Sequence, residues 1–158
     1  MKSKTLALSL LTLLVSSLPL QAGENANKPV RIVYQCDVPD DKNVDLMINT
    51  LNNVVSYYQK NLTDYEIDVV ALGPCLQYFM KDFKDTGFVE MPYTQPTQAR
   101  LKTLVATSGY INLLACQNTM EKKNVKPEQL LDIVKTTPAG VIKVIEDQAK
   151  GYSYIKIQ

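Results

Sequence analysis

The chain has 158 residues, with 17 basic and 16 acidic side chains and no histidine. This near-neutral balance, without a run of lysine or arginine, excludes an electrostatic surface for nucleic acid. Because histidine is absent, Ser-His-Asp and Cys-His catalysis and histidine-based metal sites are excluded as well.

The N-terminal segment has the three-part pattern of a secretory signal peptide. Basic residues Lys2 and Lys4 precede an apolar run from Leu6 to Leu20, and a small residue, Ala22, ends the segment. The run has about 15 residues, fewer than the about 20 that span a bilayer, so no stable membrane insertion is expected. We predict a cleaved signal peptide over residues 1–22, a disordered leader over residues 23–29 and one domain over residues 30–158.

Strand and helix patterns alternate in the first part of the predicted domain. Residues 30–35 form a β-branched run typical of a buried strand. From Val44 to Leu62 apolar residues recur every three or four positions, which predicts an amphipathic helix. Residues 66–72 predict a second strand, closed by Gly73-Pro74.

The alternation continues to the end of the chain. The further predicted elements are two helical turns over 76–83, a helix over 97–108 ended by Gly109, a strand over 110–115, a short helix with Asn118 as cap and Glu121 completing a capping box, a short strand over 133–135, a helix starting at Thr137-Pro138, and a strand over 152–157. This order predicts a parallel sheet with helices on both faces.

Each of the three cysteines follows a predicted strand. Cys36 closes the first strand, Cys75 comes just after the second, and Cys116 closes the third. The carboxyl ends of parallel strands meet at one edge of the sheet, where such folds place their ligand sites. Three cysteines that are distant in sequence are therefore expected at the same edge.

Cys116 has the best setting for a reactive thiol. It lies two residues before the predicted helix cap, and the N–H groups and dipole of a helix start favour a thiolate. Cys75 follows a rigid Gly-Pro turn, whereas nearby aspartates disfavour a thiolate at Cys36, which we expect to be structural. A buried apolar cysteine and a disulfide are the alternatives, since an exported chain meets oxidising conditions. Any single pair leaves one cysteine over.

Several segments resemble the DsrE/DsrF-like family, specifically its exported members. The residues that carry the resemblance are Leu72-Gly73-Pro74, residues 114–120 (LACQNTM), and residues 137–155 with their TPAGV start and GYSYI end. The resemblance covers residues 30–157. It implies a periplasmic protein with a three-layer αβα sandwich, a five-stranded and mainly parallel sheet, and homo-oligomers, often trimers or hexamers.

The resemblance also implies sulfur chemistry, because members linked to sulfur metabolism carry a persulfide on a cysteine that matches Cys116. We expect Cys116 to be the nucleophile and Cys75 a second, resolving thiol, with a sulfur donor or acceptor protein as partner. Neither a cofactor nor a metal is expected. The chain departs from exported relatives at Leu72, where they often have histidine, and at Cys75, where they often have glycine. The expected substrate-binding residues are Asn118, Thr119, Gly73 and Pro74.

Two other interpretations fit the same residues. The domain could be a non-catalytic homo-oligomer with structural cysteines that binds a small ligand or a partner protein at the carboxyl edge of the sheet. A thiol–disulfide exchanger is the weaker interpretation, because the chain has no Cys-x-x-Cys motif.

Overall fold

A computed structural model describes residues 28–157 of the protein. The predicted signal peptide over residues 1–22 and most of the predicted leader lie outside the described residues. Within residues 28–157, no helix is long and apolar enough to cross a membrane.

Strands and helices alternate through the described part of the chain. In order, they are strand β1 (Val30–Cys36), helix α1 (Asp41–Lys60), strand β2 (Tyr65–Ala71), a first 3₁₀ helix (Gly73–Phe79), helix α2 (Thr94–Ser108), strand β3 (Ile111–Cys116), helix α3 (Gln117–Lys122), a second 3₁₀ helix (Pro127–Gln129), strand β4 (Val134–Thr137), helix α4 (Gly140–Ala149) and strand β5 (Ser153–Lys156).

The strands form one five-stranded sheet in the order β4-β3-β2-β1-β5, and every neighbouring pair is parallel. The predicted fold class, a three-layer αβα sandwich with a five-stranded parallel sheet, is therefore confirmed. All five strands end at the same edge. There, Ala71 of β2 is aligned with Ala115 of β3, and Cys116 is aligned with Thr137 of β4.

The pleat of the strands separates two cores. Alternate residues of a strand point to opposite faces, so Tyr34 and Cys36 of β1 join the core under α1, α2 and the first 3₁₀ helix. Helix α4 covers the other face of the sheet. The smaller core beneath it consists of Val33, Val70, Leu72, Leu114, Cys116 and Val144.

Helix α1 shows how the sequence determines an element. The side chain of Asp40 accepts a hydrogen bond from the Asn43 N–H at 2.9 Å and so caps the first turn. One face of the helix is buried, as the apolar spacing predicted, and each large side chain there contributes about 1.5–3 kcal/mol of burial free energy. The buried residues are Val44, Met47, Ile48, Leu51 and Val55.

Three predicted helix starts are wrong. Helix α2 begins at Thr94 rather than at Thr97. Helix α3 begins at Gln117 with Cys116 as its N-cap, so the capping box of Asn118 and Glu121 does not form. Helix α4 begins at Gly140 rather than at Pro138. The reason for the difference at α4 is strand pairing, because β4 continues to Thr137 beside Cys116 and keeps the chain extended there.

Candidate functional site

Cys116 lies where strand β3 passes directly into helix α3. It is the last residue of the strand and the N-cap of the helix, so no loop separates the thiol from the helix start. The side chain belongs to the core beneath α4, and the residue is only 4% exposed. Cys116 is therefore held at the carboxyl edge of the sheet, as predicted, but it is almost covered.

Several donors surround the sulfur atom of Cys116. The N–H of Gly140, the first residue of α4, donates to Sγ at 3.2 Å. Hydrogen bonding from the backbone of Asn118 and Thr119 and from the Thr119 side chain also acts on the pKa of this thiol. Burial alone would raise the pKa of the thiol, but these hydrogen bonds outweigh it and lower the pKa. The site thus favours the thiolate, which is the nucleophilic form.

Thr119 connects the thiol to the turn after strand β2. Its hydroxyl oxygen accepts a hydrogen bond from the Gly73 N–H at 3.1 Å, and the same side chain lowers the pKa of Cys116 by hydrogen bonding. Gly73 has φ +47°, a left-handed conformation that glycine adopts without steric cost. The Gly73 amide is thereby directed at the Thr119 hydroxyl.

The structure brings most of the predicted site residues together. Gly73 and Thr119 act as described above, and Asn118 contributes its backbone N–H while the residue itself is exposed. Pro74 is exposed beside Gly73, and its carbonyl accepts a hydrogen bond from Gln77 Nε2 at 3.0 Å. Pro74 therefore shapes the turn, whereas the other three residues belong to the hydrogen-bond network of the thiol.

The start of α4 packs tightly over the thiol. A β-carbon at Gly140 would overlap the Leu72 side chain and would lie 3.1 Å from both the Cys116 Cβ and the Val70 Cγ1. Glycine at this position lets the α4 backbone approach the sulfur closely enough to donate its N–H. Leu72 supplies an apolar wall beside the thiol.

Cys75 is not a free thiol in this structure. It forms a disulfide with Cys36, and both residues are fully buried in the core under α1. Cys116 is the free cysteine, and it lies in the core on the opposite face of the sheet. The structural role expected for Cys36 fits this pairing. The resolving role expected for Cys75 does not fit the pairing, because the disulfide lies on one face of the sheet and the Cys116 thiol lies on the other.

A buried ionic cluster that we did not predict fastens α4 to the sheet. Lys143 contacts Asp68 of β2 and donates to Asp147 Oδ2 at 2.6 Å, and the Asn112 amide donates to Asp68 Oδ1 at 2.8 Å. Burial tends to lower the pKa of Lys143, but its hydrogen bonds to Asp147 and Asp68 raise it. The i,i+4 spacing of Lys143 and Asp147, and an aspartate inside the apolar strand β2, are the sequence signals for this cluster.

The described residues contain no group of three or more His, Cys, Asp or Glu arranged for a metal ion.

The fold and the site together describe a small α/β protein. Its sheet is parallel and five-stranded, and one hydrogen-bonded cysteine lies at the carboxyl edge of that sheet. Residues 40–157 match the DsrE/DsrF-like family. The match covers well over half of the chain, and the protein belongs to this family.

Two solved structures share the fold. A protein of unknown function from Methanobacterium thermoautotrophicum, MTH1491, has a TM-score of 0.65 and 23% identity, over 80% of this chain and 98% of its own. The YchN protein of E. coli has a TM-score of 0.53 and 9% identity, over 81% of this chain and 99% of its own. At these identities the likeness shows the fold alone. None of the curated proteins gives a match.

Proposed function

We propose that the protein is a periplasmic sulfur-handling protein and that Cys116 carries sulfur as a persulfide. The observation that carries the proposal is the free thiol of Cys116, whose Sγ accepts a hydrogen bond from the Gly140 N–H at 3.2 Å and whose pKa is lowered by hydrogen bonding. Membership of the DsrE/DsrF-like family and the signal-peptide pattern of residues 1–22 support the proposal.

The proposed chemistry is a transfer of sulfane sulfur in two steps. In the first step, the Cys116 thiolate attacks the outer sulfur of a persulfide or polysulfide donor. A sulfur–sulfur bond forms at Cys116, the bond in the donor breaks, and the rest of the donor leaves as a thiolate. In the second step, an acceptor thiolate attacks the outer sulfur, and Cys116 leaves as a thiolate. Neither step needs a separate oxidant or a second thiol from this chain.

The surrounding donors have a role in both steps. The N–H groups of Gly140, Asn118 and Thr119 stabilise negative charge on Sγ, which is the attacking atom in loading and the leaving atom in unloading. The burial of Cys116 limits its oxidation in an oxidising compartment, since oxidation follows exposure. Loading therefore involves a local opening at Leu72 and Gly140, which pack around the thiol.

Mass spectrometry of the protein after incubation with polysulfide tests the proposal. We expect one added sulfur atom on Cys116, none on Cys116→Ser, and the same addition in a Cys36→Ser/Cys75→Ser variant. If Cys116 acquires no sulfur in the folded protein, although it is fully alkylated after unfolding, the persulfide proposal is wrong.

A second candidate function is a non-catalytic, self-associating domain that binds a small ligand or a partner protein. The low exposure of Cys116 favours this interpretation, because a cysteine that is 4% exposed also serves simply as a small apolar core residue. The Cys116→Ser substitution separates the two functions. It abolishes sulfur loading under the first proposal, and it changes only stability under the second.

We also propose that the protein is a homo-oligomer and that the outer surface of α4 is its interface. Three large apolar residues of this short helix are exposed, Val141 by 57%, Ile142 by 51% and Ile145 by 54%. Tyr154 of β5, on the face of the sheet that α4 covers, is also exposed. Adjacent exposed apolar side chains of this kind mark interaction surfaces. A trimer or a hexamer remains the prediction from the family resemblance.

A further inference from the structure

The edge of the sheet opposite Cys116 carries two neighbouring cavities. The first has a volume of about 380 Å³ and the second about 400 Å³. Tyr65 and Tyr110, at or just before the starts of β2 and β3, border both cavities, and so does Asp64. We call this pair of cavities the amino-edge groove.

Tyrosine rings form much of the wall of the amino-edge groove. The Tyr65 ring is stacked near Tyr58 with 6.1 Å between centroids, and it meets Tyr110 edge-on at 5.6 Å. Tyr110 lies between the two cavities and is 61% exposed, although it directly precedes a buried strand. Tyr65 is only 4% exposed, so the ring faces open to a ligand are those of Tyr110 and the half-buried Tyr58. The face of an aromatic ring carries the negative part of its quadrupole, which attracts cations.

The charged side chains that line the amino-edge groove are carboxylates. Asp64 borders both cavities and has no ion-pair partner among residues 28–157, while Glu66 borders the second cavity and pairs with Arg31 at 3.5 Å. Neither cavity is lined by a lysine or arginine of the described part of the chain. Helices α1 and α2 both end at this edge, and the C-terminal end of a helix dipole is negative.

We propose that the amino-edge groove binds a small organic cation that carries an alkylated ammonium group. The methyl or methylene groups of such a cation would contact the rings of Tyr110 and Tyr58 and the Leu62 side chain, and its charge would lie near the Asp64 carboxylate. Alkylated ammonium fits better than a hard metal ion, because a metal needs several oxygen ligands and not ring faces. This site is independent of the sulfur chemistry proposed for Cys116, which lies at the other end of the strands.

Calorimetric titration of the whole protein with choline, and with its neutral carbon isostere dimethylbutanol, tests this inference. We expect saturable choline binding that is at least about tenfold tighter than binding of the isostere, because the ring faces and Asp64 act on the positive charge. Substituting Tyr110→Leu or Asp64→Asn should each weaken choline binding by roughly tenfold, and Tyr110→Phe should retain it.

Tyr57→Leu is the matched control. Tyr57 is 63% exposed, close to the exposure of Tyr110, but it does not line either cavity. This variant should bind choline like the wild type. The inference is overturned if choline does not bind, if the neutral isostere binds equally well, or if Tyr57→Leu weakens binding as much as Tyr110→Leu does. Sulfur loading of Cys116, measured on the same samples, should be unchanged in every variant.

Discussion

At the scale of single residues, the properties of the Cys116 thiol come from donors that belong to three different segments. Asn118 and Thr119 lie two and three residues after it, Gly140 starts helix α4, and the Gly73 N–H donates to the Thr119 hydroxyl. Because the donors are mainly backbone N–H groups, most of them cannot be removed by substitution. The Thr119 hydroxyl is the exception, and it provides the most direct test of the network.

We predict that Thr119→Val raises the pKa of Cys116. The substitution removes one donor to the sulfur and leaves the Gly73 N–H without its acceptor, while burial continues to disfavour the thiolate. Carbon-13 NMR of the Cys116 Cβ across a pH titration measures this pKa without any reagent that must reach the buried thiol. Thr103→Val is the control, since its hydroxyl contacts only the Ala99 carbonyl in helix α2. Equal pKa values in the wild type and Thr119→Val would contradict the network.

The same pKa shift predicts a pH-dependent contribution to stability. The pKa of Cys116 is lower in the folded protein than the ordinary value of 9.0, so ionisation of the thiol favours folding. This contribution is complete above the unfolded pKa and is lost as the pH falls through the folded pKa. Urea unfolding of the wild type and Cys116→Ser should therefore show a stability difference that grows as the pH rises through this range. A difference that is constant with pH would mean that the thiol does not ionise preferentially in the folded state.

At the same site, the surrounding side chains leave no room for a β-carbon at position 140. We predict that Gly140→Ala destabilises the protein by about 1–3 kcal/mol, because the new β-carbon overlaps Leu72 and crowds Cys116 in a filled core. Urea unfolding measures the loss, and a second substitution, Leu72→Ala, should restore part of it. At Gly87 an added β-carbon meets mainly the flexible Lys123 side chain, so Gly87→Ala should cost less. If Gly140→Ala is as stable as the wild type, the close approach of α4 is not required.

At the scale of secondary-structure elements, the disulfide joins the end of β1 to the first 3₁₀ helix across 39 residues. We predict that Cys36→Ala/Cys75→Ala lowers the free energy of unfolding by about 4 kcal/mol, from the loop-closure entropy of the unfolded chain. Urea unfolding under oxidising conditions measures this loss, and sulfur loading of Cys116 should be unchanged. Loss of loading in the folded variant would instead give Cys75 a role in the chemistry.

At the scale of the whole molecule, α4 links the candidate site to the proposed interface. Its first N–H donates to Cys116, its inner face carries the Lys143 cluster, and its outer face is apolar. We predict that Ile142→Asp or Ile145→Asp shifts the protein towards monomers, because a charge in an apolar interface is strongly disfavoured. Sedimentation velocity measures the change. Leu46→Asp is the control, since Leu46 is 52% exposed on α1, on the opposite face of the sheet. Identical sedimentation of all variants would exclude this interface.

Sequence patterns predicted most of the elements because their signals are local. The apolar spacing of α1, the β-branched run of β1 and the stop at Gly109, which has φ +69°, depend on neighbouring residues and backbone geometry. The start of α4 was placed two residues early, because pairing between β4 and β3 extends the strand to Thr137. Such pairing depends on a distant segment that a local pattern does not contain.

By itself, the sequence determined that this is a parallel α/β domain and that its cysteines follow the strands β1, β2 and β3. Only the tertiary structure decided which of them pair and what surrounds each of them. The pleat and the packing of the helices put Cys36 and Cys75 together on one face, and put Cys116 on the other, under the N–H of Gly140. The physical reason is that thiol reactivity depends on donors and burial, which segments far apart in the chain supply only after folding.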